Sequence, residues 1–221
     1  MKRRCLIIAG GELNPEFASC YIKEKYGSMG PELIITADRG LEGAKILGLQ
    51  PNIMLGDYDS VALELLEEYE KNDQVVSVQY PTEKDYTDTH LAVITAIERG
   101  ATEICILGAT GSRLDHVMAN MGLLLLGLKA GIETELVDSN NRIRMVQKHM
   151  TIEQKNQFGS YVSLLPFTEQ VKGITLKGFK YPLNDADFSM GMSWGISNEI
   201  TESMAEIKIR DGILYVIESK D

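Results

Sequence analysis

The sequence is poor in the residues that build disulfide scaffolds and zinc sites. It contains three cysteines and three histidines among 221 residues, and the cysteines at positions 5, 20 and 105 are far apart. An odd number of widely spaced cysteines does not form a disulfide framework, and none of them has zinc-ligand spacing. We therefore expect buried free thiols at Cys5 and Cys105 and a protein of the reducing cytoplasm.

Positive charge is also in short supply. Twenty-two lysines and arginines face 32 acidic residues, which gives a formal net charge of −10. This balance argues against a nucleic acid or a membrane surface as partner, because both attract basic patches. No apolar run is long enough to cross a bilayer. A nucleotide remains compatible, since a metal ion and a few local cations can neutralise its phosphates.

Several familiar motifs are missing. The turn at residues 108–113 lacks the Gly-Lys-Ser/Thr ending of a P-loop and does not follow the dinucleotide pattern. The chain also lacks a Gly-x-Ser-x-Gly elbow, so a hydrolase triad has no anchor. The turn at 108–113 still joins a predicted strand to a predicted helix, where backbone N–H groups suit phosphate. An ordinary turn is the alternative interpretation.

The hydrophobic pattern predicts an α/β protein with two domains. Apolar strand-like runs alternate with helical segments in the N-terminal part, which is typical of a Rossmann-like parallel sheet with helices on both faces. Its predicted strands are 4–9, 33–37, 53–55, 75–80, 104–107 and 134–137, and its predicted helices are 15–26, 41–47, 61–71, 89–99 and 114–130.

From about residue 142 short strand-like runs replace the helices, and they predict a small C-terminal antiparallel β-sandwich. The runs are 161–165, 174–176, 205–210 and 213–218, and Asp211-Gly212 between the last two is a hairpin signal. We place the domains at residues 1–145 and 146–221.

The most informative stretch is Gly56-Asp57-Tyr58-Asp59-Ser60. Two carboxylates one residue apart follow a predicted buried strand, and they repel each other unless a cation neutralises them. Oxygen ligands at such a position suit Mg²⁺, which also takes oxygens from a substrate phosphate. The alternative is a solvated turn in which Ser60 caps the next helix.

Other charged residues also follow predicted strands. Ligands of parallel sheets bind beyond the carboxyl ends of the strands, so we expect these residues to converge on one crevice. For Lys84, Asp85, Thr87 and Asp88 the alternative is a solvated loop in which Thr87 caps the next helix. For Asp115 the alternative is a residue that only interacts favourably with the helix dipole. The groups are Asp38, then Asp57 with Asp59, then Lys84, Asp85, Thr87 and Asp88, and then Arg113 with Asp115.

In the C-terminal domain, the segment from Met190 to Glu199 combines small, aromatic and amide residues and includes the single tryptophan, Trp194. Core packing is the default for a lone tryptophan. Glycines beside exposed aromatic rings also suit a flat heterocycle, which stacks on such rings.

Taken together, four segments resemble the successive motifs of the thiamine pyrophosphokinase family. Any one of them is a weak signal, whereas four in the family's order make a specific one. Two small departures are Arg39, where the family commonly has glycine, and Ser112, where glycine is frequent. The segments are 56–60, 81–88, 108–116 and 195–199.

The resemblance implies a Mg²⁺-dependent, dimeric enzyme that transfers the diphosphoryl group of ATP to the hydroxyl of thiamine, giving thiamine diphosphate and AMP. Both subunits of the homodimer contribute around each site. The resemblance places the metal at Asp57, Asp59 and Asp88, and adds Arg113 and Asp115 to the catalytic set. ATP is expected at Asp38, Lys84, Asp85, Thr87, Arg113, His116 and Asn120, and thiamine at Ser197, Asn198, Trp194 and Tyr181.

Two other functions remain open from the residues. A metal-dependent nucleotide-sugar transferase also uses Asp-x-Asp after a strand, but it does not explain the residues at 84–88 or 113–116. A non-catalytic nucleotide- or thiamine-binding module would keep the fold without the turnover.

Overall fold

The chain folds into two units that divide between Ser139 and Asn140. The computed structural model describes residues 2–58, 61–79 and 85–221. The boundary expected near residue 145 falls inside a strand, Asn141–Val146, whose hydrogen-bonded partner is Leu214–Ser219 near the C-terminus. This pairing assigns the strand to the second unit.

The first unit contains a parallel sheet with helices, as predicted. Its described strands have the order β4-β3-β2-β1-β5-β6. The strands are β1 Arg4–Ile8, β2 Leu33–Ala37, β3 Ile53–Gly56, β4 Val76–Gln79, β5 Glu103–Leu107 and β6 Glu133–Val137, and the helices are α1 Pro15–Tyr26, α2 Gly40–Ile46, α3 Leu63–Glu70, α4 Asp88–Glu98 and α5 Leu114–Ala130.

Local sequence explains some of the helix ends. Helix α1 starts with Pro15 after Asn14, whose side chain accepts a hydrogen bond from the Phe17 N–H. Helix α5 ends at Gly131, which has a left-handed backbone. Helix α3 begins at Leu63 with Ala62 at the cap position, two residues later than predicted, and the predicted cap, Ser60, lies outside the described residues.

The strand order reverses beside β1, which lies between β2 and β5. The turns after β1 and β5 are hydrogen-bonded to each other there. The N–H of Gly11 donates to the carbonyl of Gly108 at 2.7 Å, and that of Glu12 donates to Thr110 at 2.8 Å. Such a reversal is where doubly wound sheets open a crevice for ligands.

The second unit is a sandwich of two antiparallel sheets, as predicted. One sheet has the order β7-β13-β9 and the other β11-β10-β12-β8. Side chains from both sheets, including Val162, Ile174, Phe188 and Val216, form one buried core. The strands are β7 Asn141–Val146, β8 His149–Glu153, β9 Tyr161–Pro166, β10 Gln170–Lys177, β11 Leu183–Ser189, β12 Met204–Lys208 and β13 Leu214–Ser219.

The hairpin predicted at Asp211-Gly212 is wrong. Strand β12 pairs with β10 and β8, whereas β13 pairs with β7 and β9. The turn therefore carries the chain from one sheet of the sandwich to the other. Its glycine has a positive φ of 92°, which explains the turn-like sequence without requiring that the flanking strands pair.

Two further observations concern the cysteines and the hydropathy of the helices. Cys5 and Cys105 are buried free thiols, as predicted, and Cys20 is exposed. Burial raises the pKa of the Cys5 thiol to about 12. None of the helices in the described ranges combines the length and the hydropathy needed to traverse a bilayer.

Candidate functional site

The carboxyl ends of β2 and β3 lie side by side and each is followed by an aspartate. Asp38 comes after β2, and its backbone N–H donates to the carbonyl of Leu55 in β3 at 2.9 Å. Gly56 ends β3 directly before Asp57, and a Cβ at Gly56 would lie less than 3.0 Å from an Asp38 carboxylate oxygen. The Asp38 carboxylate therefore lies against the backbone that leads into Asp57.

Tyr58 anchors the turn that follows β3. It is a non-glycine residue with a φ of 58°, a rare conformation for a bulky side chain. Its side chain is 7% exposed and packs with apolar groups from α2, β3 and α3. The partners in this cluster are Leu41, Met54, Val61 and Tyr69.

The surroundings of the Tyr58 hydroxyl show which acids lie close by. The pKa of Tyr58 is raised to about 12, chiefly by burial and to a smaller extent by the charges of Asp38, Glu70 and Asp88, while a hydrogen bond with the Ser77 side chain opposes the shift. Charges act measurably only over short distances in a solvated protein. Asp38 and Asp88, which are 50 positions apart in the sequence, thus both contribute to the electrostatic environment of Tyr58.

Asp88 is the first residue of α4 and is buried. Thr87 caps this helix, with its hydroxyl accepting a hydrogen bond from the His90 N–H at 3.2 Å. A carboxylate in the first helical turn is stabilised by the helix dipole. Asp85 is exposed in the preceding turn. Asp59 and Lys84, both predicted site residues, lie outside the described residues.

The turn after β5 presents an ion pair. Arg113 donates to Asp115 through Nε at 3.2 Å and through Nη2 at 2.6 Å. This hydrogen bonding lowers the pKa of Asp115 to about 2, helped by a backbone hydrogen bond from His116. Both charged side chains are exposed, as is His116. The guanidinium is thus oriented by its neighbour while its outer surface remains open to solvent.

Asn120 differs from the other predicted ATP contacts because its side chain is buried and bonds the backbone. It is buried in α5, and its Nδ2 donates to the carbonyl of Ala109 at 2.8 Å. The contact that the structure shows is therefore with the turn that carries Thr110 to Arg113. Asn120 holds that turn against its own helix.

In the second unit, the predicted thiamine residues differ in exposure. Trp194 is 71% exposed and Tyr181 is 60% exposed, so the default expectation of a core tryptophan is wrong. Ser197 has a φ of 57°, and its backbone N–H donates to the Ser163 hydroxyl at 3.0 Å. Asn198 is buried and its amide bonds the backbone of Tyr181.

The metal prediction concerns Asp57, Asp59 and Asp88, of which Asp59 is not described. Within residues 2–58, 61–79 and 85–221, no group of three or more histidine, cysteine, aspartate or glutamate side chains is arranged to hold a metal ion. The carboxylates of Asp57 and Asp88 are of the ligand type that Mg²⁺ prefers.

Sequence reasoning missed the structural roles of Gly56 and Tyr58 in the first unit and of Ser163 in the second. Their roles come from positive φ values and from contacts with distant residues, which no local pattern encodes. The signal available for Tyr58 was its aromatic character between polar residues, which favours a side chain packed in the core.

The first unit thus belongs to the class of doubly wound α/β folds whose ligand crevice lies at the carboxyl ends of the strands. Two family models match this chain. The model of the thiamin pyrophosphokinase catalytic domain covers residues 30–136, and that of the thiamin pyrophosphokinase vitamin B1 binding domain covers residues 149–214.

Relatives match over nearly the whole length. Thiamine pyrophosphokinase of Bacillus subtilis is 36% identical over 217 residues, which is 97% of this chain and 98% of the relative. A crystal structure of the Bacillus subtilis protein superposes with a TM-score of 0.86 at 33% identity, over 99% of each chain. The Geobacillus thermodenitrificans protein gives 0.82 at 31% identity, over 99% of this chain and 98% of that one. The chain belongs to the thiamine pyrophosphokinase family.

Proposed function

We propose that this protein transfers the diphosphoryl group of ATP to the hydroxyl oxygen of thiamine, giving thiamine diphosphate and AMP. The observation that carries the proposal is the pairing of a whole-length family match with acids at two adjoining strand ends, Asp38 and Asp57. Transfer of this type needs positioning and charge neutralisation more than covalent chemistry.

We assign Mg²⁺ to Asp57, Asp59 and Asp88, with Asp38 and Asp115 nearby. A bound Mg²⁺ supplies charge neutralisation for the ATP phosphates. The chain's own contribution is to hold the carboxylates in place through the Tyr58 anchor and the α4 cap. Asp59 or Asp88 is the acid that orients or deprotonates the thiamine hydroxyl.

We assign ATP to the first unit, as a catalytic domain. Arg113 offers a planar fork for phosphate oxygens and Lys84 a point charge. The Arg113–Asp115 pair supports this role, because the carboxylate fixes the guanidinium in one orientation. Asn120 supports ATP binding through the turn that it holds. Asp38, Asp85, Thr87 and His116 complete the proposed ATP set.

We assign thiamine to the second unit, with Ser197, Asn198, Trp194 and Tyr181 as the proposed contacts. Exposed aromatic rings at positions 181 and 194 support this assignment, since a flat pyrimidine ring stacks on such surfaces. The unit is also our proposed dimerisation domain, and we propose a homodimer of the cytoplasm in which both subunits contribute to each site.

The test is release of AMP from ATP. We expect AMP formation that requires both thiamine and Mg²⁺, together with an equal amount of thiamine diphosphate. Turnover of a nucleotide sugar in place of ATP would favour a nucleotide-sugar transferase. Tight thiamine or ATP binding without AMP release would favour a non-catalytic binding module.

A further inference from the structure

Residues 195–198 run antiparallel beside strand β9 and are bonded to it at both ends. The N–H of Leu164 donates to the carbonyl of Gly195 at 2.8 Å. Val162 and Asn198 exchange two bonds, with the N–H of Val162 donating at 2.8 Å and that of Asn198 donating at 3.1 Å. The segment is therefore fixed to β9 at two points.

Between these two points the chains contribute unequal numbers of residues. On β9 a single residue, Ser163, separates the bonded positions, whereas Ile196 and Ser197 separate them on the other segment. Two residues opposite one is the count that defines a β-bulge, which interrupts the alternation of side chains along a strand and re-aims one of them. Ile196 and Ser197 are consecutive, yet both are exposed.

Ser197 is the strained residue of this bulge. Its φ of 57° lies in the left-handed region, which residues other than glycine rarely adopt. Such a conformation persists only where surrounding contacts enforce it, and strain of this kind clusters at binding and active sites. One contact acts directly on the strained residue, because the backbone N–H of Ser197 donates to the hydroxyl of Ser163 at 3.0 Å.

The position of Ser163 in the sheet explains why its side chain makes this contact. Successive residues of a strand direct their backbone polar groups to opposite neighbours. Val162 and Leu164 bond the segment, so the backbone of Ser163 faces its partner Ile217 on β13. The hydroxyl is therefore the group of Ser163 that reaches Ser197. Ser163 is 8% exposed, which shields this hydrogen bond from water.

Gly195 shows that the start of the segment is packed tightly against the sandwich. A Cβ at this position would lie less than 3.0 Å from the Leu164 carbonyl oxygen and from the Phe188 ring. This end of the segment is thus held by close packing as well as by its hydrogen bond. A change at Ser163 is therefore expected to act on the two bulge residues rather than to detach the segment.

We infer that Ser163 is a positioning residue, whose hydroxyl holds the bulge in the conformation that presents the Ser197 side chain to thiamine. The inference rests on the proposed function, which gives Ser197 a contact with this substrate. Ser163 is buried in β9 and acts through Ser197. A contact that is ordered before the substrate arrives reduces the entropy lost on binding.

The experiment is a double-mutant cycle of Ser163→Ala and Ser197→Ala, read as thiamine KM, ATP KM and kcat in the AMP-release assay. Ser163→Ala is expected to raise the thiamine KM about three- to tenfold, the effect of one hydrogen bond. The ATP KM and kcat are expected to stay within about twofold, since only thiamine binding is weakened. Calorimetry with thiamine alone is expected to show the same loss without turnover.

The double variant tests whether Ser163 acts through Ser197. In the Ser197→Ala background, Ser163→Ala is expected to change the thiamine KM by less than about twofold, because the hydroxyl that it positions is gone. Ser163→Thr keeps the hydroxyl and is expected to retain the thiamine KM of the unmodified protein. If Ser163→Ala fails to fold, Ser163→Cys replaces it in the cycle, since a thiol has a similar shape but accepts hydrogen bonds weakly.

Thr175→Val is the matched control. The Thr175 hydroxyl also accepts a backbone N–H from a neighbouring strand, that of Asp185 at 3.3 Å, and neither residue belongs to the proposed thiamine set. Thr175→Val and Ser163→Ala are both expected to lower the midpoint of thermal unfolding by about 2–4 °C. Only Ser163→Ala is expected to raise the thiamine KM.

Three results would overturn the inference. The first is an unchanged thiamine KM in Ser163→Ala, and the second is a pair of effects that multiply in the double variant. The third is an equal rise of the thiamine KM in Thr175→Val, which would indicate general damage to the unit. Failure of the proposed function has a separate signature, which is the absence of thiamine-dependent AMP release from the unmodified protein.

Discussion

The backbone of Gly56 lies directly against the carboxylate of Asp38. A Cβ at position 56 would come within 3.0 Å of Asp38 Oδ1, and the glycine has a φ of 154°. The last residue of β3 thus has no side chain because the acid that follows β2 occupies that space. This contact brings two acids, Asp38 and Asp57, to neighbouring strand ends.

Replacing Gly56 by alanine is therefore expected to displace the Asp38 carboxylate. We expect Gly56→Ala to fold with a loss of about 1–2 kcal/mol in the free energy of unfolding. Its kcat for AMP release is expected to fall at least about tenfold, since misplaced charges near the phosphates weaken catalysis. Steady-state kinetics and thermal unfolding measure both effects.

Gly100→Ala is the matched control. Gly100 also has a positive φ, of 74°, but a Cβ there meets nothing within 4 Å. The control is expected to lose stability through backbone strain while its kcat stays unchanged. Equal kcat values for Gly56→Ala and the unmodified protein would show that the Asp38 position does not matter for turnover.

Asn120→Ala tests whether the β5–α5 turn is held from within α5. The substitution leaves the Ala109 carbonyl without its 2.8 Å donor, which is expected to cost about 1–2 kcal/mol of unfolding free energy. The loosened turn carries Arg113, so the ATP KM is expected to rise several-fold while the thiamine KM stays constant. Denaturant unfolding and kinetics with each substrate varied provide the measurement.

Asn72→Ala provides the comparison for that variant. Asn72 also bonds a backbone group, the N–H of Gln74 at 3.0 Å, but at an exposed position. It is expected to change stability by less than about 0.5 kcal/mol and to leave both KM values alone. A thiamine KM that rises in Asn120→Ala with an unchanged ATP KM would contradict the assignment of this turn to ATP.

Acid stability of the first unit is expected to depend on Glu32. Arg4 bonds Glu32 through Nη2 at 2.7 Å and through its backbone N–H at 2.8 Å, and this hydrogen bonding lowers the pKa of Glu32 from 4.5 to about 2. A lowered carboxyl pKa stabilises the fold above about pH 4.5, and the benefit is lost as pH falls toward 2.

Glu32→Gln is therefore expected to be about 1 kcal/mol less stable than the unmodified protein at pH 7, a value reduced by solvent screening of this partly exposed pair. The difference is expected to vanish near pH 2. Glu67→Gln, which removes a loose surface pair with Lys71 at 3.7 Å, serves as control and is expected to have little effect. Parallel pH profiles for Glu32→Gln and the unmodified protein would contradict the role of Glu32.

Much of the first unit could be predicted from the sequence because its strands are continuous apolar runs. Strand β2 and helices α1 and α5 have the predicted bounds, since Pro15, Asn14 and Gly131 mark helix ends by local chemistry. The adjacency of Asp38 and Asp57 followed from the same topology. The positive φ of Tyr58 did not, because it depends on apolar partners from two helices and a strand.

The second unit was predicted less completely, because three of its strands carry polar residues. Strand β7 alternates Arg142 and Arg144 with apolar residues, and both arginines pair with the fully buried Glu218 of β13. Strand β11 is an edge strand whose acids face solvent. Strand β8, at the other edge, is short, and Ile152 is its one buried residue. The ionic partner of the arginines and the edge positions of β8 and β11 depend on the tertiary structure, so a local sequence pattern does not indicate them.

The structural roles of Asn120 and Asn198 could not be predicted from local sequence patterns either. Both Asn120 and Asn198 were predicted to contact ligands, and both are seen to bond backbone groups of a neighbouring segment. An amide suits either task equally well. The sequence alone does not indicate which backbone groups lie within its reach.

The most direct test of the central claim is AMP release by Asp57→Asn, assayed with ATP and thiamine over a range of Mg²⁺ concentrations. The amide keeps the shape of the side chain but removes the charge that follows β3. We predict folding and thermal unfolding like those of the unmodified protein, with turnover reduced by more than about a hundredfold at every Mg²⁺ concentration. Unchanged turnover in Asp57→Asn would contradict the account.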